Sequence, residues 1–184
     1  MPKALIYVID TAKREEYSTL KNFLTKAGYL VKSAIGSKDV NLNYDIDLEA
    51  ISKDEMSKLY EEFDLVALAG GYKIYYYVLK KKPPLKIWDF NIDVNKLNIL
   101  LESFINNKKT VVAPLATPAY LAQIGYLKGR EATVYPTTEL IHILKENGVK
   151  FVNKDIVKSD MFITIKDVTK TAEKDFLATL RETT

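Results

Sequence analysis

Runs of apolar residues alternate along this chain with segments whose apolar positions recur at helical spacing. Residues 4–9 and 65–69 are continuously apolar, which is typical of parallel strands buried on both faces. After the first run, apolar residues fall on one helical stripe that ends at Gly28. The alternation predicts an α/β fold: a three-layer sandwich with a mostly parallel central sheet flanked by helices on both faces.

Three segments carry more local signals. Residues 40–51 alternate polar and apolar positions with period two, which predicts a half-exposed strand near a sheet edge. Ser52 and Glu55 form a capping-box pattern that predicts the start of a short helix. Residues 72–90 form the least regular part of the chain, and Asp93 is suited to cap the helix that follows it.

The composition is that of an ordinary globular protein. With 184 residues, of which 47% are hydrophobic and 28% charged, the chain is expected to form one domain over residues 1–184. Its net charge of +3 comes from 27 basic and 24 acidic residues that are interspersed, which argues against a nucleic-acid surface. Without a membrane-length apolar run or a leader pattern, a cytoplasmic location is expected. Abundant Lys, Glu, Ile and Tyr are also typical of heat-adapted proteins.

Cysteine is absent from the sequence, which excludes a disulfide bond, a thiolate metal site and a cysteine nucleophile in this chain. His142 is the only histidine, so no second imidazole is available for a metal site or a proton relay. We interpret it as a structural or solvated residue of a helix. No metal ion and no other cofactor is therefore expected.

Three sequence segments together resemble one protein family. They read FDLVALAGG at residues 63–71, TVVAPLATPAYLA at 110–122 and GYLKGREATVYPT at 125–137. In this order the segments resemble the ThiJ/PfpI family, within the class I glutamine amidotransferase-like fold. The resemblance extends over nearly the whole chain and implies that residues of about 72–90 form a longer inserted segment.

The resemblance also implies a site from which the reactive group is missing. The family's nucleophile is a cysteine on a strained turn between a strand and a helix, where backbone amides hold an oxyanion. Thr117 and Pro118, read as cap and first residue of a helix, match the Gly-Pro that commonly follows the family's Cys-His pair. This match puts Leu115 at the cysteine position and Ala116 at the histidine position, where neither side chain is a nucleophile or a base.

Two further features of the family's site have counterparts here. The family's acidic residue, which hydrogen-bonds the thiol, corresponds to Glu16 when counted back from Gly28, with Glu15 as the fallback. Gly70 and Gly71 resemble the glycine pair whose amides line the pocket, since glycine allows a close backbone approach. The predicted ligand pocket consists of Gly70, Gly71, Leu115, Ala116 and Thr117.

These observations favour a protein that does not use the family's thiol chemistry and that acts through small-ligand binding or homo-oligomeric assembly, with an isologous homodimer as the default. One alternative is an intracellular protease-like hydrolase or a small-carbonyl-modifying enzyme. It would use Glu16 as a general base on water, which requires that burial raise the pKa of Glu16.

A second alternative is a nucleic-acid or protein-binding module. Tyrosines at 75–77, Trp88, lysines at 80–82 and Lys86 have the chemistry of a stacking platform for single-stranded nucleic acid. The same residues suit an aromatic lid or a subunit contact with a solvated lysine face. We favour the lid or the subunit contact over the platform.

Overall fold

A seven-stranded sheet organises the part of the chain that the computed structural model describes, which comprises residues 1–9, 12–36, 42–81 and 94–182. Its strands are β1 (Lys3–Val8), β2 (Leu30–Ile35), β3 (Ile46–Asp47), β4 (Leu65–Ala69), β5 (Thr110–Pro114), β8 (Ile156–Ser159) and β9 (Phe162–Ile165). They lie in the order β3-β2-β1-β4-β5-β9-β8, and only the β8–β9 pair is antiparallel. A small parallel pair, β6 (Glu131–Ala132) and β7 (Lys150–Phe151), lies outside this sheet.

Helices cover both faces of the sheet. They are α1 (Arg14–Lys26), α2 (Lys53–Ser57), α3 (Gly71–Leu79), α4 (Val94–Asn106), α5 (Thr117–Gln123), α6 (Thr138–Glu146) and α7 (Glu173–Arg181). Residues of α1 and α7 share one core with every second residue of β1, while residues of α3, α4, α5 and α6 share the other core with the alternate residues. The predicted three-layer sandwich is therefore confirmed.

The predicted strand at residues 40–51 is much shorter than expected. Only Ile46–Asp47 forms β3, which pairs with β2 at the sheet edge. The edge position is confirmed, but the length is wrong: residues 42–45 are not in a strand, Asp47 ends it, and residues 40–41 lie outside the described residues. Asp47 Oδ1 accepts a hydrogen bond from the Glu49 amide at 2.9 Å, and such an Asx turn competes with strand pairing. The predicted helix start is confirmed, since Ser52 caps α2 and its Oγ accepts from the Glu55 amide at 3.1 Å.

The segment expected to be irregular, residues 72–90, begins within a helix, so that prediction is wrong for residues 72–79. Ile74 and Val78 are four residues apart and both buried, which gives α3 an apolar stripe facing the core. Three consecutive tyrosines separate Ile74 from Val78, so the helical spacing is not evident from the sequence. The helix ends at Lys80, whose φ is 56°. Lys82, Lys86, Trp88 and Asp93 lie outside the described residues.

The strand order creates a crevice in the middle of the sheet. From β1 the chain passes to β2 on one side, and β4 then joins β1 on the other side. In open α/β sheets, ligands bind outside the carboxyl ends of the strands where the order reverses in this way. The chain leaves β1 toward α1 and leaves β4 toward α3 at this point.

Candidate functional site

A cavity of about 590 Å³ lies in this region, bounded by α1, α3, the turn after β5 and the residues that follow β9. Backbone groups, aromatic rings and charged side chains all contribute to its wall. It is lined by Lys13, Glu15, Glu16, Gly71, Tyr75, Tyr76, Leu115, Ala116, Tyr135, Asp167, Thr169 and Lys170. The cavity therefore combines apolar surface with both signs of charge.

Glu16 is the deeply buried ionisable group of this wall. Its side chain stands on the core-facing stripe of α1, four residues before Leu20, and only 1% of the residue is exposed. Oε1 accepts a hydrogen bond from the Gly70 amide at 3.3 Å. Within the described part of the chain, Oε2 has no hydrogen-bond partner. A buried carboxyl oxygen without a partner is unfavourable, so this atom is a strong candidate for a ligand contact.

Burial raises the pKa of Glu16 from the ordinary 4.5 to about 7. The backbone amide of Gly70, which donates to the carboxylate, opposes this shift, and the negative charge of Asp167 adds to it. The nearby backbone amide of Gly71 and the positive charge of Lys13 also oppose it. Desolvation outweighs the opposing contributions. Near neutral pH the site therefore contains both the carboxylic acid and the carboxylate.

Leu115 occupies a strained turn between β5 and α5. Its φ is 57°, a left-handed conformation that costs a non-glycine residue roughly 1–2 kcal/mol. Its amide donates to the Ile165 carbonyl at 3.0 Å, and its carbonyl accepts from the Tyr135 amide at 3.0 Å. These two bonds hold the turn from both sides. The half-buried leucine side chain forms part of the cavity wall.

The glycine pair after β4 is required by sterics. A Cβ on Gly70 would lie 2.7 Å from Ile74 Cγ2 and 2.8 Å from Thr117 Cγ2, distances too short for carbon atoms. Gly71 has a φ of 66°, which favours glycine. Gly71 lines the cavity, while Gly70 contributes through its amide hydrogen bond to Glu16.

Thr117 does not cap α5, contrary to the sequence prediction. Ala116 is the capping residue, and Thr117 is the first residue of the helix. The Thr117 hydroxyl donates instead to the Pro114 carbonyl at 2.7 Å, and the residue is fully buried. It packs against Gly70 behind the cavity wall. Of the five predicted pocket residues, Gly71, Leu115 and Ala116 therefore line the cavity, and Gly70 and Thr117 support it.

Sequence reasoning missed the aromatic and charged part of the wall. Tyr75 and Tyr76 are one turn into α3, where a helical reading of residues 71–79 could have placed them. Asp167 caps the 3-10 helix Val168–Lys170, and its Oδ1 accepts a hydrogen bond from the Thr169 amide at 3.0 Å. Tyr135 and Asp167 come from distant parts of the chain, so no local pattern could identify them.

A second cavity of about 680 Å³ lies between α3, α4, α5 and α6. It is larger, but no buried polar atom without a partner faces it among the described residues. His142 contributes to its wall with a side chain that is 74% exposed and lies 3.7 Å from Glu146. The cavity borders Lys80 and Val94, which lie close to the two ends of residues 82–93, outside the described part of the chain. We therefore assign the candidate site to the smaller cavity.

The described part of the tyrosine and lysine segment contacts the protein itself, and the stacking platform stays the less favoured alternative. Tyr77 packs against Tyr120, with ring centroids 6.1 Å apart, while Lys81 pairs with Glu139 at 2.8 Å.

The described side chains contain no group of three or more His, Cys, Asp or Glu residues that is placed to hold a metal ion. None of the helices in the described ranges is both long and apolar enough for a bilayer crossing.

A family model described as the DJ-1/PfpI family matches residues 2–179. The chain belongs to the DJ-1/PfpI family. The ThiJ/PfpI domain protein from Brachyspira murdochii superposes with a TM-score of 0.70 at 18% identity, covering 100% of this chain and 97% of that chain. Drosophila melanogaster DJ-1beta gives a TM-score of 0.66 at 22% identity, covering 99% and 90%. At these identities the structures establish a shared fold.

One curated relative matches part of this DJ-1/PfpI protein. It is an uncharacterised protein of Methanocaldococcus jannaschii, 41% identical over 71 residues, which are 39% of this chain and 35% of the relative. The match thus spans about a third of the relative's length. The resemblance drawn from the three sequence segments is confirmed at the level of family and fold, in a chain without cysteine.

The contact between Gly70 and Thr117 gives a testable prediction. Gly70→Ala should lower the free energy of unfolding by about 1–3 kcal/mol, because the new methyl group overpacks two buried, stiff side chains. Thr117→Ser removes one of the clashing methyl groups and keeps the hydroxyl that bonds Pro114. In denaturant titrations, Gly70→Ala should therefore cost less in the Thr117→Ser background. Additive effects of the two changes would contradict the close approach.

Proposed function

We propose that this DJ-1/PfpI protein binds a small molecule in the cavity beside Glu16 and that it does so without the thiol chemistry of its family. The observation that carries the proposal is the carboxyl group of Glu16, a residue that borders the cavity and whose Oε2 is buried without a hydrogen-bond partner in the described part of the chain. A ligand that hydrogen-bonds this atom would remove an unfavourable state of the free protein.

The backbone around the cavity supports this role. The cavity lies at the reversal point of the strand order, which is the usual ligand position in such sheets. Its backbone depends on Gly70, where a side chain would clash, and on positive φ angles at Gly71 and Leu115. Strained backbone of this kind concentrates at functional sites. The site thus has a strained backbone although Leu115 and Ala116 supply no reactive group.

A fragment-binding experiment tests the proposal. Small polar fragments are added to protein with ¹³C-labelled leucine and alanine methyl groups, and methyl chemical shifts are followed by NMR. We expect binding fragments to shift Leu115 and Ala116 together. Leu115→Phe should narrow the cavity at its apolar wall and weaken binding several-fold, while Leu115→Ala should retain it. Shifts confined to other regions, or an affinity that Leu115→Phe leaves unchanged, would contradict the proposal.

Glu16 also supports a second candidate function, hydrolysis with this carboxylate as general base on water. The specific observation is its pKa of about 7 in a cavity that water can enter, since an efficient general base titrates near the working pH. If a fragment with a labile ester or amide is turned over, the rate should rise with pH through about 7 and disappear in Glu16→Gln. A rate that survives Glu16→Gln would exclude this function.

A further inference from the structure

The walls around Glu16 have a distinct chemical character. Tyr75 and Tyr76 of α3 and Tyr135 from the loop before α6 place three aromatic rings on the same cavity as Glu16. Rings of this type attract cations through their negatively polarised faces. A carboxylate combined with several tyrosine rings favours a ligand with a positive charge.

The remaining charges of the cavity do not reverse this preference. Glu15 and Asp167 add two acidic groups, and Lys13 and Lys170 add two basic groups. Both lysines are exposed, so their ammonium groups can remain hydrated while a ligand enters. Glu16 is fully enclosed by comparison, with 1% exposure. The charge at the bottom of the cavity is therefore negative whenever Glu16 is ionised.

The carboxyl of Glu16 also restricts the chemistry of the ligand. Gly70 donates to Oε1, and Oε2 is buried without a hydrogen-bond partner in the described part of the chain, so a ligand that reaches Oε2 must bring a donor. An alkylammonium group supplies both the positive charge and the N–H donor that this oxygen lacks. Its hydrocarbon part would lie against the apolar surface of Leu115 and Ala116. A carboxylate ligand, in contrast, would meet the ionised Glu16 as a like charge.

We propose that the ligand of this site is a small primary amine, bound as its ammonium ion with an N–H donated to Glu16 Oε2 and its alkyl part against Leu115. This inference rests on the proposed binding function and adds the class of ligand. Amines of this type remain protonated over the physiological pH range, as lysine side chains do. The titrating partner is then Glu16. The other titratable groups around it are Lys13 before α1, Glu15 of α1, Tyr75 and Tyr76 of α3, Tyr135, and Asp167 and Lys170 after β9.

Binding should depend on pH in a defined direction. Ammonium binding favours the carboxylate, so below the pKa of about 7 the protein must release a proton to bind. The affinity should therefore fall by up to about ten-fold for each pH unit below 7 and level off above it.

The experiment measures the dissociation constants of butylamine, butanol and butyrate by calorimetry or NMR at about pH 8 and at about pH 5.5. These probes share an alkyl chain and differ in charge. Butylammonium should bind on the order of ten-fold more tightly than butanol at the higher pH, and butyrate most weakly. Glu16→Gln should weaken butylammonium binding on the order of ten-fold or more and remove its pH dependence.

Glu15→Gln is the matched control, since it removes an equal charge from the neighbouring residue of the same cavity. Because Glu15 is exposed, this change should weaken binding only a few-fold and keep the pH dependence. Equal affinities for butanol and butylammonium, or an unchanged affinity in Glu16→Gln, would overturn the amine proposal while leaving small-molecule binding intact. If no fragment of any class shifts the Leu115 and Ala116 methyl groups, the binding function fails as well.

Discussion

Glu16→Gln is expected to raise the free energy of unfolding by about 3 kcal/mol at about pH 8 and to change it little at about pH 4. The folded protein holds this carboxyl with a pKa of about 7, whereas the unfolded chain restores the ordinary 4.5. A raised folded-state pKa stabilises the protein fully below about 4.5, and this contribution is lost as the pH rises through about 7. Glutamine keeps the shape and the acceptor for Gly70 without the charge.

Denaturant titrations of both proteins across this pH range provide the measurement. Glu15→Gln serves as the control, because the exposed neighbour should change stability by no more than about 0.5 kcal/mol at either pH. An equal effect of Glu16→Gln at both pH values would mean that the carboxyl is not desolvated in the folded protein.

Leu115→Cys is expected to create a thiol that reacts unusually fast. The sequence has no cysteine, so any labelling reports on the introduced group alone. The left-handed turn and Glu16 contribute to the same cavity, and a protonated Glu16 that donates to sulfur would stabilise the thiolate. At about pH 6.5, alkylation by iodoacetamide should be on the order of ten-fold faster than at an ordinary exposed thiol, the change expected from one pKa unit.

Ser18→Cys on the exposed surface of α1 supplies the reference thiol. Adding Glu16→Ala to Leu115→Cys should return the rate to that of the reference, since the donor is lost. If Leu115→Cys reacts no faster than Ser18→Cys, or if Glu16→Ala has no effect, the turn and the acid do not form a functional pair.

The sheet and its central strands were predictable because their burial leaves a direct sequence signal. Residues 4–9 and 65–69 are apolar without interruption, as strands covered on both faces must be. The alternating pattern of the edge strand extends on both sides of the two residues that pair, and beyond Asp47 a side-chain hydrogen bond ends the pairing. A local polar contact thus outweighed the period-two pattern.

The candidate site was predictable only in part. Helical spacing places Glu16 on the same buried stripe as Leu20 and Leu24. Counting back from Gly28 pointed to this residue, because α1 is a regular helix between the two positions. The matched glycine pair and turn located Gly71 and Leu115. Tyr135 and Asp167 reach the cavity only through the tertiary fold, so the sequence alone could not include them.

The expected homodimer remains a prediction, and the proposed binding role does not depend on it. The longer inserted segment at about residues 72–90 also remains a prediction, since much of it lies outside the described residues. Sedimentation of the purified protein would test the expected homodimer independently of ligand binding.

An NMR titration of the Glu16 side-chain carboxyl carbon tests most directly whether this carboxyl is desolvated beside a ligand cavity. We expect a midpoint near 7 in the free protein, which falls when butylammonium is added because the bound cation favours the carboxylate. A midpoint near 4.5 that does not respond to butylammonium would show a solvated acid and contradict the account.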